Sequence, residues 1–189
     1  MTYVDLNHNS KSDRWNKLNL SLKPWKSTGD YILVCLQNPM STACLPKEGL
    51  NEWILYIVHS IRKYSNRKII IRPHPRSSES ISLPELKNVE LIYPIRPIRK
   101  LFNYYLENSW ALVNFNSNPA IEAAIKGIPI FTDNSSLASP VANLSFDLIE
   151  TPKKPDRTQW AYDLAYTEWN INEIKSGIVW RRFRKYIYG

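Results

Sequence analysis

At 189 residues, 43% of them hydrophobic and 12% aromatic, the chain can bury one substantial core, is short for two, and is too apolar for wholesale disorder. Its net charge of +8 and pI near 9.5 imply anionic partners; nucleic acid, a phospholipid surface, an acidic glycan and a nucleotide-activated substrate all qualify. No apolar run is long enough to span a bilayer, the polar N-terminus lacks a signal peptide's apolar stretch, and neither Cys35 nor Cys44 sits in a zinc-ligand spacing, so a cytoplasmic protein with reduced thiols is expected.

Residues 1–29 are polar, with Lys11, Arg14, Lys17, Lys23 and Lys26 among Asn and Ser. Trp15, Leu18, Leu20, Leu22 and Trp25 supply apolar anchors, which predicts an arm lying on the domain. Residues 31–36 (Tyr-Ile-Leu-Val-Cys-Leu) read as a first buried strand. The loop from Gln37 to Leu50 then follows a strand's carboxyl end, where ligands of open α/β sheets collect. Residues 50–64 place Trp53, Ile54, Ile57, Val58 and Ile61 on one helical face, and His59 reads as a surface or packing residue there. Lys68 to Arg72 is β-branched enough for a central strand and runs straight into Arg72-Pro73-His74-Pro75-Arg76.

Loop or short helix is expected over 77–86, a third strand over 89–93, a basic turn with Arg96, Arg99 and Lys100, and a helix over 101–108. Trp110 to Val113 is an apolar run of strand length. Asn116, Ser117 and Asn118 offer capping side chains, and Pro119 suits a first helical position. Ala120 to Lys126 is helix-forming, Gly127 can close that helix, and 128–131 begins another strand, with Pro129 near its start. A loop or short helix over 135–142 and a last strand over 146–149 follow. Beyond a Pro- and Lys-rich connector at 151–157, helices are expected over 159–166 and 171–177 around Trp169, before a basic, aromatic end from Trp180.

Strands alternating with helices, most of them apolar throughout, predict a single doubly wound Rossmann-like α/β domain with a mostly parallel sheet. It should occupy 30–157, with the arm at 1–29 and a helical segment with a basic tail at 158–189. A strand–turn–helix unit aims backbone N–H groups and a positive helix end at one spot, which suits a phosphate. Two prolines stiffen the backbone around His74, so its imidazole is presented from a rigid turn, and Arg72 and Arg76 add charge. Strand ends of a parallel sheet converge, so His74, Gln37 and the Ser117 turn are expected to share a cleft. Glu122, about one turn into the helix, could accept hydrogen bonds from ribose hydroxyls. A Pro-stiffened loop and an ordinary helix cap are the plainer uses of the same residues.

Arg-Pro-His-Pro after a strand, followed later by Asn-Ser-Asn-Pro-Ala-Ile-Glu-Ala-Ala-Ile-Lys-Gly-Ile-Pro-Ile-Phe, resembles the donor-binding half of a GT-B glycosyltransferase. The nearest resemblance is to the capsular polysaccharide group that includes the Kdo transferases. It spans roughly 30–180 and extends to Asp156-Arg157, Trp160, Trp169, Glu173, Gly177 and Trp180 in the tail. Bacterial sialyltransferases and glycerophosphate polymerases, whose donors are cytidine nucleotides, carry similar motifs. The resemblance implies that His74 contacts the donor phosphate and that Ser117, with Asn116 and Asn118, binds it from the helix end. Glu122 would hold the ribose, and Gln37 would lie at the cleft mouth. It implies a CMP-, CDP- or UDP-linked sugar as co-substrate, with no cofactor and no metal, in keeping with the absence of Asp-x-Asp.

A full GT-B enzyme has two Rossmann-like domains, and its general base commonly comes from the other one. No base is identifiable here, although Asp30, Asp133 and Glu150 occupy loop or strand-end positions. The leading expectation is a metal-independent transfer of a sugar to a glycan. Transfer to DNA, as in phage enzymes that glycosylate hydroxymethylated bases, is an alternative that the Arg181-Arg182-Phe183-Arg184-Lys185 run favours. A non-catalytic nucleotide-sugar-binding module serving a partner is another. The expected partners are therefore a nucleotide sugar, an anionic acceptor (glycan or DNA) and, for a half-sized transferase, a second copy of the chain.

Overall fold

A computed structural model of the chain describes residues 8–38, 49–77, 81 and 83–188. Cys44 and most of the loop after Gln37 lie outside the described residues. The chain divides into two compact units, one of residues 21–157 and one of residues 1–20 with 158–189. The stretch 1–29, read from sequence as one arm, is therefore shared: Ser21 to Gly29 belong with the sheet and the described residues before them with the C-terminal helices.

The larger unit is built on β1 (Tyr31–Cys35), β2 (Lys68–Arg72), β3 (Val89–Leu91), β4 (Ser109–Asn114) and β5 (Ile130–Phe131). All the pairings are parallel, in the order β3-β2-β1-β4-β5. In register, Leu33 stands beside Ile70 on one side and Leu112 on the other. Residues of α2 (Leu50–Arg62), among them Trp53, Ile54 and Ile61, form one core layer with Ile32, Val34, Ile69, Ile71, Ala111 and Val113. The alternate residues Leu33, Ile70 and Leu112 are equally buried outside that layer. Beside them, α3 (Ile98–Asn108) packs on β1 and β4, and α4 (Pro119–Ile125) packs on β4 and β5. Burial on both faces explains why the strands read as continuous apolar runs, without polar alternation.

The expected strand at 146–149 is instead a 3₁₀ turn over Phe146–Leu148. Phe146 stacks on Phe131 while Ile149 is fully buried, three positions apart, which is the period of a 3₁₀ turn. At Gly127 the backbone takes φ +75°, and the 23–26 segment crosses so closely that Lys26 N–H donates to the Gly127 carbonyl at 2.7 Å. The Arg157 guanidinium locks this crossing by donating to the Ala124 and Lys23 carbonyls while stacking on Trp25, 3.9 Å from the ring centre.

The smaller unit holds α1 (Asp13–Lys17), α5 (Thr158–Leu164), α6 (Ile171–Lys175) and α7 (Ile178–Tyr188). A polar network organises it. Arg14 pairs with the Glu173 carboxylate, donates to the Ala165 and Glu168 carbonyls, and lies 4.0 Å from the centre of the Trp169 ring. Glu173 also completes a capping box with Asn170 at the start of α6. No helix among the described residues is long and apolar enough to cross a membrane.

Candidate functional site

In a parallel sheet every strand delivers its following loop to the same edge. Gln37 follows β1, His74 follows β2, and Asn116 to Asn118 follow β4, so all of them reach the carboxyl edge. The strand order places a topological switch between β1 and β4, where the outgoing loops diverge and leave a crevice. A pocket of about 540 Å³ occupies it, lined by Gln37, Arg72, His74, Asn116, Ser117, Asn118 and Glu122 among others. Arg76 does not line it. Its side chain is exposed, and its contribution is the backbone N–H, which donates to His74 Nδ1 at 3.1 Å.

That bond settles how His74 presents itself. With Nδ1 accepting from the backbone, the imidazole proton sits on Nε2, which becomes a neutral N–H donor. Burial first, then the Arg76 and Arg72 charges, hold the imidazole below the ordinary histidine pKa, so the neutral form is favoured. The positive charge comes from Arg72, the last residue of β2, which is buried at 5% exposure. Its guanidinium lies 4.9 Å from the centre of the Phe102 ring. No carboxylate among the described residues forms an ion pair with it. Burial without a counter-ion lowers its pKa and makes an incoming anion the natural compensation.

The turn after β4 is set from behind by Asn114. Its amide donates to the Ser117 carbonyl at 2.7 Å and the Ser117 hydroxyl at 3.0 Å. The capping role read from sequence is not taken up, since Asn118 is helical in its own dihedrals and its side chain makes no cap hydrogen bond. Asn116 is instead a bridge, accepting from the Gln37 amide at 2.5 Å and donating to the Ser135 hydroxyl at 3.2 Å. Glu122 reaches the pocket already paired with Arg99 at 3.2 Å and Lys126 at 3.8 Å.

Arg99, Phe102 and Asn114 matter to this site and were not singled out for it by sequence. Only the charge of Arg99 was visible there, as part of a basic turn. Of the three carboxylates considered as bases, Asp30 precedes β1 and Glu150 is bound to Ser65 and Arg67 just before β2, so both lie at the opposite edge of the sheet. Asp133, which follows β5, is at the carboxyl edge.

No family model matches the chain, and no curated protein matches it by sequence. Among solved structures it is similar to the beta Kdo 2,4 transferase KpsC of Thermosulfurimonas dismutans, with a TM-score of 0.56 and 11% identity, covering 87% of this chain and 59% of that one. It is also similar to the UDP-GlcNAc 2-epimerase of Methanocaldococcus jannaschii, at a TM-score of 0.45 and 16% identity over 88% of this chain and 49% of that one. The chain thus spans under two thirds of the length of either structure. The likeness to KpsC shows the fold, which is that of half of a GT-B structure.

Proposed function

We propose that the pocket at the switch point binds the phosphate of a nucleotide-activated sugar, and that the chain serves as the donor half of a metal-independent glycosyltransferase with a glycan acceptor. The observation that carries this reading is Arg72, a buried guanidinium that no carboxylate among the described residues pairs with, opening on the same pocket as the His74 imidazole. A diester or diphosphate placed there would receive charge-assisted hydrogen bonds from Arg72 and a neutral N–H bond from His74. As the sugar–phosphate bond breaks, negative charge grows on the leaving phosphate, and these preorganised donors hold it better than the ground state. In this reading the cations of the protein take the part that a metal plays in other transferases. The likeness of fold to half of a GT-B structure is in keeping with this reading.

Thermal-shift measurements against CMP-, CDP-, UDP- and GDP-sugars test the reading, because a ligand of the folded state raises apparent stability by mass action. At least one is expected to stabilise the protein, with the shift lost in His74→Ala. A shift of equal size in that variant sinks the assignment.

A second reading, binding without turnover, is favoured by one observation. Among the described residues Glu122 is the only carboxylate that lines the pocket, and two cations already hold it. A donor that binds but is never hydrolysed or transferred, whatever glycan is offered, would select that reading.

A further inference from the structure

A second hollow opens at the carboxyl edge of the sheet, with a volume of about 650 Å³. We propose that it is a saccharide-binding site for a neutral, hydroxyl-rich ring, seated against Trp53, Tyr56 and Phe115 with Glu52 and Asp133 accepting from its hydroxyls. Its chemistry is the reverse of its neighbour's. Where the first pocket gathers Arg72, His74 and Arg99, the second has no Lys, Arg or His on its wall among the described residues, and two carboxylates at its rim. In a chain of net charge +8, that partition separates an anion site from one that repels anions.

Its walls are fixed before any ligand arrives. The Phe115 carbonyl accepts from the Thr132 hydroxyl at 2.5 Å and from the Asp133 N–H at 2.8 Å, tying the end of β4 to the end of β5. The Phe115 ring meets Trp53 edge-on, with centroids 6.4 Å apart, and Phe146 is stacked on Phe131. Asp133 is held by accepting the Ser135 N–H on Oδ1 at 2.8 Å, which leaves Oδ2 for a ligand. Aromatic faces bury the C–H side of a sugar ring, while carboxylates take its hydroxyl protons in short charge-assisted bonds. The volume suits a ring or two and is far larger than a small ammonium ion needs.

A hydrogen-bonded ridge parts the hollows. Gln37, Asn116 and Ser135 connect in sequence, and Ser135 N–H closes onto Asp133. A ring in the second hollow would therefore lie just across this ridge from a phosphate in the first. Its part as the acceptor of transfer rests on the proposed function, whereas the binding of a ring stands on the hollow alone.

Saturation-transfer NMR and tryptophan fluorescence, which Trp53 should report, can be run with methyl glycosides of glucose, galactose, mannose and N-acetylglucosamine up to about 100 mM, a range that reaches weak affinities. At least one should bind the wild type. Tyr56→Ala and Asp133→Asn, both at exposed positions and the second keeping an oxygen for the Ser135 N–H, should weaken it about tenfold or more, or about 1.4 kcal/mol. His74→Ala should leave it unchanged. Failure of the whole panel, indifference to both substitutions, or displacement by choline would each overturn the inference. The nucleotide-sugar thermal shift, read on the same variants, separates the two ideas. A shift intact in wild type without glycoside binding overturns this inference alone, and glycoside binding without any such shift overturns the proposed function alone.

Discussion

At the scale of single residues, the site is defined by what Arg72 and His74 lack. A buried guanidinium without a carboxylate costs stability that apolar packing would not. Arg72→Met is accordingly expected to leave the ligand-free protein as stable or more so, by on the order of 1 kcal/mol, while abolishing the nucleotide-sugar shift. Thermal denaturation with and without donor reads both effects. A large loss of stability in the ligand-free variant would mean that Arg72 is structural. His74 makes a complementary prediction. Its depressed pKa means that below pH 6.5 the unfolded chain takes up a proton that the folded imidazole resists. Its contribution to stability is full above 6.5 and declines as pH falls from there toward the folded value. A histidine NMR titration, assigned with His74→Ala, should place the midpoint below 6.5. A midpoint above it would contradict the Nε2–H form described here.

At the scale of elements, the crossing of residues 23–26 over the end of α4 is the most demanding local feature. A Cβ on Gly127 would strike the Pro24 carbonyl and would also have to sit at φ +75°. Gly177, at φ +73°, has open space around it, with only the Arg181 guanidinium within 4 Å. Gly127→Ala should therefore cost about 2 kcal/mol or more and Gly177→Ala about 1, the left-handed penalty without the clash. Urea unfolding of the two variants measures the difference, and equal losses would show the crossing to be slack.

The same elements show what the sequence could and could not reveal. Ile-Leu-Val in β1, Ile-Ile-Ile in β2 and Ala-Leu-Val in β4 were legible because strands buried on both faces are short unbroken apolar runs. The last expected strand failed because Phe146, Leu148 and Ile149 read as a short apolar run despite Asp147 among them, whereas the segment follows a three-residue period. The motif residues were visible because Pro flanks His74 and Pro119 starts α4. That Arg72 has no counter-ion among the described residues and that Arg99 meets Glu122 depend on distant chain segments, and that Asn114 holds Ser117 depends on the path of the turn, none of which local pattern carries.

Cys35 lets the opening of the sheet be timed. It lies in β1, between β2 and β4, and burial pushes its thiol up to about 12. Thiolates are the reactive form, so native Cys35 should resist alkylation at pH 8, in a Cys44→Ser background that isolates it. Labelling should then follow the opening of the central strands, and a bound nucleotide sugar should slow it, since Cys35 also lines the first pocket. Rapid labelling of the folded protein would show that the centre of the sheet opens readily.

For the whole molecule, the question is which polyanion a charge of +8 can serve. Many of the cations are already engaged: Arg67 with Glu150, Lys68 with Glu90, Arg99 with Glu122, Lys126 with Glu107 and Arg14 with Glu173. Arg62 and Arg157 spend their donors on backbone carbonyls. On α7, Arg182 turns inward over Tyr166, 3.8 Å from the ring centre, while Arg181 and Arg184 are exposed and Trp180 and Tyr188 meet edge-on. Those ion pairs are already counted within the net charge, so the surplus of +8 persists. Arg72 and Arg157 are buried, however, and Arg182 lies over a ring, where none of them can meet a duplex backbone. Each phosphate neutralised on duplex DNA adds about 0.9 to the slope of log affinity against log salt. With a glycan acceptor, duplex binding should be weak, with a slope of only about 2 to 3, and should fade near physiological salt. Arg181→Ala with Arg184→Ala should flatten that slope by up to about 2 and leave the nucleotide-sugar shift intact. A gel-shift series across salt concentrations decides the matter. A steep slope, with binding to duplexes bearing hydroxymethylated bases that survives about 0.15 M salt, would move the acceptor from glycan to DNA.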